Sequence, residues 1–312
     1  MDELKVFTGN THPGLAHAIC DYLGIPPGQI SVFQFSNENT FVQIKENVRG
    51  RDVFIVQPIS SPVDKSLMEL LIMIDAAKRA SAARITPVIP YYGYGRTDKK
   101  DQPRVPITAR LVADLITVAG ASRVLTLDLH AGQIQGFFNI PVDELTALDL
   151  LVDYFKGKEL ENMAVVATDI GISKIARDMA AKLNSRLAIV EKRRPGNTDK
   201  AETLTVIGDV RGCHAVLVDD EIDTAGSITA AATTVAEHGA RDVYACCTHP
   251  ILSGPAVERL SNSTLKEIVV GDSVPIPDEK KIENMKTLSL ASLIGEAIHR
   301  IHANLSVGAM FQ

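Results

Sequence analysis

The sequence lacks an excess of charge of either sign. Its 32 Lys and Arg stand against 38 Asp and Glu, a formal net charge of −6, so nothing suggests a general nucleic-acid surface and any phosphate ligand must be met by local clusters. Cysteine is scarce. The four present, Cys20, Cys213, Cys246 and Cys247, form no C-x-x-C pair, and two of them are adjacent in an apolar run, which argues against a disulfide or a joint metal site. They read as reduced core thiols of a cytoplasmic protein. No apolar stretch is long enough to span a membrane, and Met1-Asp2-Glu3-Leu4-Lys5 carries acids and no long apolar segment, unlike a secretion signal. Low-complexity linkers are absent as well. What the chain does have is apolar material, 46% of 312 residues, enough for the cores of two ordinary domains.

Short strand-like runs recur with helical segments between them: Val53 to Val56, Ile85 to Ile89, Val124 to Leu127, Ala164 to Ala167, Leu187 to Val190, Ala215 to Val218 and Val243 to Cys247. This alternation predicts an α/β fold with parallel sheet. The order strand, loop, helix, strand through Val53, Gln57-Pro58, Leu67 to Ala80 and Ile85 is repeated through Val216, Asp219-Asp220, Ile228 to Glu237 and Val243. We infer a duplicated domain. The boundary is expected between Pro141 and Asp149, giving an N-terminal domain 1–145 and a C-terminal domain 146–289, with the terminal segment 290–312 joining the first.

The most telling segment is Val216-Leu217-Val218-Asp219-Asp220-Glu221-Ile222-Asp223-Thr224-Ala225-Gly226-Ser227. Its apolar half reads as a strand buried on both faces, with the acids at its carboxyl end. Thr224 to Ser227 are then expected to form the N-terminal turn of a helix, where unpaired N–H groups and the positive end of the dipole favour phosphate and Gly226 permits a close approach. Asp219 and Asp220 can accept hydrogen bonds from vicinal hydroxyls, so a ribose 5-phosphate would satisfy both halves of the segment. The same letters also describe an acidic loop in which Thr224 merely caps a helix. In the first half Gln57-Pro58 replaces the acidic pair, so only one sugar site is expected.

His130, after the run Val124 to Leu127, and Asp169, after Ala164 to Ala167, fall at strand carboxyl ends, where open α/β sheets bind ligands. One imidazole and one carboxylate suffice for Mg²⁺ when a polyphosphate supplies the other oxygens, although a lone His there also serves as an ordinary hydrogen-bonded residue. Glu191-Lys192-Arg193-Arg194-Pro195-Gly196-Asn197 follows another strand and reads as a basic flap. Cations placed this way stabilise charge on a migrating phosphoryl group, by on the order of 10³ to 10⁵ in rate. In the first half, Tyr91 to Lys100 offers Arg96 to a polyphosphate. Within Phe35-Ser36-Asn37-Glu38-Asn39, Phe35 can stack on a purine whose edge Asn37 reads; taken alone, Phe35 reads as core.

Together, Asp128-Leu129-His130-Ala131 continuing through Gln133 to Phe138, Lys192-Arg193-Arg194-Pro195, Val218 through Ser227, and Cys247-Thr248-His249-Pro250 resemble the ribose-phosphate pyrophosphokinase family over nearly the whole chain. The resemblance implies two type I phosphoribosyltransferase-like domains, each a mostly parallel sheet flanked by helices. It implies transfer of the β,γ-diphosphoryl group of ATP to the C1 hydroxyl of ribose 5-phosphate, with Mg²⁺, for nucleotide, His and Trp biosynthesis. Carried over by position, Asp223, Thr224, Ala225, Gly226 and Ser227 would hold the 5-phosphate and Asp219 and Asp220 the ribose. His130 and Asp169 would be metal ligands, and Lys192 and Arg194 the catalytic cations. Phe35, Asn37, Glu38, Asn39, Arg96 and Thr97 would meet ATP. The family's usual acid stands as Asn39 here and its usual Gln as Thr97, so a relaxed base preference is expected; Glu221 replaces an apolar residue. A homo-oligomer of dimers assembled into a hexamer is implied, one subunit completing its neighbour's nucleotide site. Arg49 and Ser306 match an effector site for phosphate and ADP, with Asn47 and Gly308 where hydroxyl residues are usual. A phosphoribosyltransferase would need only the second-half site, against which the duplication and the basic flap argue. A non-catalytic regulatory homologue is opposed by the intact His130, Asp169, Lys192, Arg194 and Asp219.

Overall fold

The computed structural model describes residues 3–193 and 203–311, which divide into two compact units. The first runs to Thr146 and also takes in Ser273–Pro275 and the segment from Ser289 onward; the second holds Ala147–Asp272 and Ile276–Leu288.

In the first unit, β1 (Leu4–Thr8), α1 (Pro13–Leu23), β2 (Ile30–Gln34), β3 (Thr40–Ile44), β4 (Asp52–Val56), α2 (Val63–Arg79), β5 (Arg84–Ile89), α3 (Thr108–Ala119), β6 (Val124–Leu127), a 3-10 turn (Gly132–Phe137) and β7 (Val142–Leu145) follow in order. Among the described residues the sheet has the order β1-β4-β5-β6-β7 and is parallel throughout, with β2 and β3 forming a separate antiparallel hairpin. Every residue of β4 is buried, as expected of a central strand covered on both faces. The helices are amphipathic in the ordinary way: α2 buries Leu67, Leu70, Met73, Ile74 and Ala77, and α3 buries Ala109, Val112, Ala113 and Ile116, at helical spacing. At the start of α1, the His12 ring accepts from the Leu15 N–H at 3.3 Å and Pro13 occupies the first turn; Gly24 closes the helix in the left-handed region at φ 67°.

The second unit repeats this order. It opens with α4 (Leu148–Lys156), then runs β8 (Met163–Ala167), α5 (Ser173–Lys182), β9 (Arg186–Arg193), β10 (Thr203–Ile207), β11 (His214–Ile222), α6 (Gly226–Glu237), β12 (Asp242–Pro250), α7 (Ala256–Ser261), β13 (Leu265–Gly271) and β14 (Met285–Leu288). Its sheet order is β10-β9-β8-β11-β12-β13-β14, parallel except for the β9–β10 pair. From β8 onward, each element matches one of the first unit beginning at β1, down to the hairpin between the first and second sheet strands. The closing helices are exchanged. α4, which follows β7, packs on α5 in the second unit, whereas α8 (Ala291–His302), which follows β14, packs on α1 in the first. That last contact is close: a Cβ on Gly295 would meet the Tyr22 ring at 2.5 Å, so a larger residue there would force the ring to shift.

Two strands run further than the apolar pattern suggests. β11 continues through Ile222 because Asp219 and Glu221 keep their register with Cys247 and His249 on β12, which puts the acids in the last turns of the ladder instead of after it. β9 continues to Arg193, paired with β10 up to Thr203. The four cysteines are free and buried. Among the described residues, no helix is long and apolar enough to cross a membrane.

Candidate active site

In the second unit, adjacent parallel strands bring their carboxyl ends together. Val218 on β11 pairs with Ala167 on β8, so Asp219 and the residues after Ala167 become neighbours. The Thr168 hydroxyl donates to Asp219 Oδ2 at 2.6 Å. Asp219 is largely buried, and burial first, then the hydrogen bond with Asp220 and the charges of Asp220 and Asp169, push its carboxyl well above the ordinary carboxylate range, with Thr168 opposing them. Three acids therefore crowd one strand end. Asp169 is exposed, and its Oδ1 accepts from the Ile172 N–H at 3.1 Å. Glu221 is buried at the register position opposite His249.

The loop after β11 is cross-braced. Leu252 N–H donates to the Ile222 carbonyl at 3.0 Å and Ser253 N–H to the Asp223 carbonyl at 2.9 Å, while the Ser253 hydroxyl donates to the Asp223 carboxylate. On α7, Arg259 Nη1 donates to the Thr224 carbonyl at 3.0 Å. Helix α6 begins at Gly226, later than a Thr224 cap would require: Ala225 holds the N-cap position in the left-handed region, φ 60°, and no side chain caps the helix. The alternative reading, in which Thr224 caps the helix, is therefore excluded, and Thr224 and Ser227 are exposed. First-turn N–H groups have no acceptor within their own helix. A non-glycine residue held at φ 60° is strained, a feature that collects at ligand-binding turns. This turn can receive an anion, with the acids of β11 one step away along the chain.

The corresponding strand end of the first unit is occupied by the protein's own side chains. Gln57 stands where Asp219 does, fully buried, and its Nε2 donates to Glu69 Oε2 at 3.1 Å and to the Ser66 carbonyl at 3.3 Å. Asn10 donates to the same Glu69 carboxylate from its backbone N–H at 3.1 Å and from Nδ2 at 3.0 Å, and the Thr11 N–H donates to Gln57 Oε1 at 3.3 Å. A Cβ on Gly9 would overlap the Gln57 amide at 2.6 Å. An amide and a carboxylate thus occupy the strand end that holds the acids in the other copy.

The first unit gathers a different set. His130 is exposed beyond β6, after Asp128 at φ 36°. A Cβ on Gly95 would lie 3.7 Å from the His130 Cβ, so the loop bearing Arg96 and Thr97, both exposed, touches the His130 loop. Thr97 closes its turn by donating from Oγ1 to the Tyr94 carbonyl at 2.8 Å. Phe35, Asn37, Glu38 and Asn39 form a separate group at the tip of the β2–β3 hairpin, with hydrogen bonds made within it: Phe35 N–H to the Asn39 carbonyl at 2.9 Å and Asn39 N–H to Asn37 Oδ1 at 3.2 Å. Phe35 is not core; it is 49% exposed and packs edge-on to Phe33 and Phe41. Glu38 takes the left-handed turn position at φ 67°. Arg49 is exposed, its N–H held by Asn47 Oδ1 at 3.1 Å, and the Ser306 carbonyl accepts from Arg300 at 3.1 Å. Lys192 lies on β9 opposite Leu204, with its side chain outside the described set, and Arg194 lies outside the described residues altogether. Sequence reasoning missed Ser253, Arg259 and the occupied strand end beside Glu69. Only Thr168, directly before Asp169, carried a readable signal.

Comparison with known proteins finds relatives over nearly the whole chain. Residues 4–120 match a family model described as the N-terminal domain of ribose phosphate pyrophosphokinase, and residues 193–312 match the phosphoribosyl synthetase-associated domain. The chain is 54% identical over 311 residues to a ribose-phosphate pyrophosphokinase of Caldanaerobacter subterraneus, covering 99% of this chain and 98% of that one. It is 52% identical over 308 residues to the Bacillus subtilis protein of the same name, covering 99% and 97%. A crystal structure of phosphoribosylpyrophosphate synthetase from Mycobacterium smegmatis superposes with a TM-score of 0.92 at 40% identity, over 97% of this chain and all of that one.

Proposed function

The chain belongs to the ribose-phosphate pyrophosphokinase family, and from that premise we propose how its residues divide the work. The reaction carries the β,γ-diphosphoryl group of ATP to the C1 hydroxyl of ribose 5-phosphate. The C1 oxygen bonds to the β-phosphorus as the bond from that phosphorus to the α,β-bridging oxygen breaks, leaving phosphoribosyl diphosphate and AMP. A divalent metal accompanies ATP chemistry of this kind.

The second unit takes the acceptor. The 5-phosphate sits at the N-terminal turn of α6, on Asp223, Thr224, Ala225, Gly226 and Ser227, and the ribose hydroxyls meet Asp219 and Asp220. The observation that carries this reading is the contrast between the two copies: a cross-braced turn with exposed Thr224 and Ser227 beside three crowded acids in one, and a strand end occupied by Gln57 and Glu69 in the other. Arg96 and Thr97 receive ATP phosphates, and Phe35, Asn37, Glu38 and Asn39 receive the base. The exposure of Phe35 leaves its ring face available for stacking. In an oligomer this hairpin serves a neighbouring subunit, in dimers assembled into a hexamer. Lys192 and Arg194 stabilise charge on the transferred group.

Mg²⁺ is the metal we propose, with His130 and Asp169 as ligands directly or through water. The donor set fits a hard cation that keeps water and phosphate oxygens for its other positions, and the crowding of Asp169, Asp219 and Asp220 supplies the negative field that attracts one. When bound, such an ion neutralises charge on phosphate oxygens. Arg49 and Ser306 serve phosphate or ADP effectors, and the protein works in the cytoplasm. A phosphorus NMR time course with ATP, ribose 5-phosphate and Mg²⁺ tests the reaction: AMP and a new diphosphate signal on the sugar are expected, and no turnover by pure protein would refute it.

A further inference from the structure

Two loops of the first unit are fastened to each other by a pair of side chains with no role assigned so far. The Asp98 side chain, two residues after Arg96, is 1% exposed. Its Oδ2 accepts from Gln133 Nε2, and Lys99 Nζ lies 3.1 Å from its Oδ1. Gln133 belongs to the 3-10 turn three residues after His130. The two ends of that loop are fixed independently: Glu144 on β7 accepts from the Leu129 N–H at 2.8 Å and from Gln135 Nε2. His130 is thus bracketed at Leu129 and Gln135, and the middle of its loop is tied across to the loop of Arg96. The backbones also touch, since a Cβ on Gly95 would lie 3.7 Å from the His130 Cβ and 3.8 Å from Ile134 Cδ1.

Burying a carboxylate is costly unless it is paired, and a neutral residue would hold two loops together at less expense. A directional bond from a buried charge does something a neutral contact does not: it fixes the distance and the angle between the loops. We propose that Asp98 and Gln133 form a positioning joint that keeps Arg96 and Thr97 in register with His130, so that the nucleotide phosphates and their metal are met as one unit. Neither residue of the joint touches a reactant. The inference rests on the assignment of Arg96 and His130 to the nucleotide and metal.

The full-length enzyme tests this by steady-state kinetics. Gln133→Glu sets a second carboxylate against Asp98, and should raise the KM for ATP and the Mg²⁺ concentration for half-maximal rate together, each about tenfold, as expected for losing one hydrogen bond to a buried charge. The KM for ribose 5-phosphate should stay within about twofold of wild type, since no group of the sugar site is involved. The double variant Asp98→Asn with Gln133→Glu reverses donor and acceptor and should recover most of the loss, which a merely structural role does not predict. If Gln133→Glu fails to fold, Gln133→Leu removes the bond without adding charge and should show the same split. An unchanged KM for ATP, an equal rise in both KM values, or no recovery in the double variant would overturn the joint. Arg96→Ala and His130→Ala separate the two levels: if they raise the ATP and metal constants while the Gln133 variants do not, the joint alone is wrong, and if they too leave those constants unchanged, the assignment beneath it is wrong.

Discussion

Asp219→Asn should make the ligand-free protein more stable, and by an amount that grows with pH. The Asp219 carboxyl is pushed up to about 8 by burial and by its acidic neighbours, against roughly 4 in an unfolded chain. Its folded value is therefore raised. Between those values the folded protein keeps a proton that the unfolded chain has lost, so stability falls as pH rises through the window and the whole penalty is present above it. Each pH interval of one contributes about 1.4 kcal/mol, a ceiling of about 4 kcal/mol at pH 7. Because part of the upward push comes from the neighbouring Asp220 and Asp169, which stay in place, the part that one substitution recovers is roughly 2 kcal/mol. The amide oxygen can keep the Asp220 N–H as its donor, at 3.0 Å in the wild type, while its NH₂ donates to the Thr168 hydroxyl, which then turns to the Val218 carbonyl 3.5 Å away. Urea unfolding of both proteins at fixed concentration, at pH 5 and pH 8, should therefore give a small difference at the lower pH and a gain of roughly 2 kcal/mol, or about 5 °C in Tm, at the higher. Catalysis should be lost at both. A variant no more stable than wild type at pH 8, or equally stabilised at both pH values, would refute the claim that the acids are crowded at the expense of stability.

Other expectations follow from the same contacts. Glu69→Ala deprives Asn10 and Gln57 of a buried acceptor, and should cost about 2–3 kcal/mol in urea unfolding while the kcat of the folded fraction is unchanged. Arg259→Met frees the Thr224 carbonyl, and should raise the KM for ribose 5-phosphate about three- to tenfold with little change in the KM for ATP. Lys192→Ala should lower kcat far more than it weakens ribose 5-phosphate binding; equal losses would contradict a role confined to the transition state. With Asn39 and Thr97 in the nucleotide group, kcat/KM for ATP, dATP, GTP and CTP should span less than about 10³, since a site that strictly hydrogen-bonds one base reaches 10⁴ or more.

The inner strands were legible because their burial is complete. β4, β6 and the apolar part of β11 are short, largely apolar runs buried at every position, and no competing pattern obscures them. The β2–β3 hairpin was not: Ile30 to Gln34 and Thr40 to Ile44 mix half-buried and exposed positions, so the strand signal is diluted and Phe35 at the tip passes for core. The polar ends of β9 and β11 escaped for a related reason. Arg193 and Glu221 are held extended by cross-strand partners, Thr203 and His249, which local composition does not reveal. At the site, the acids and the small-residue turn were readable as chemistry. The braces were not, because Ser253 and Arg259 lie 30 and 35 residues from the groups they hold, and Gln133 lies 35 from Asp98. Nor did the letters show that Glu69, buried in α2, ties Gln57 and Asn10 together at the first copy of the strand end.

That occupied copy leads to the most direct measurement. Calorimetric titration of the full chain with ribose 5-phosphate and Mg²⁺, without nucleotide, should find one sugar phosphate per chain, lost on Asp223→Asn and kept on Gln57→Ala. Two sugar phosphates per chain, or binding that survives Asp223→Asn, would contradict a single acceptor site in the second unit.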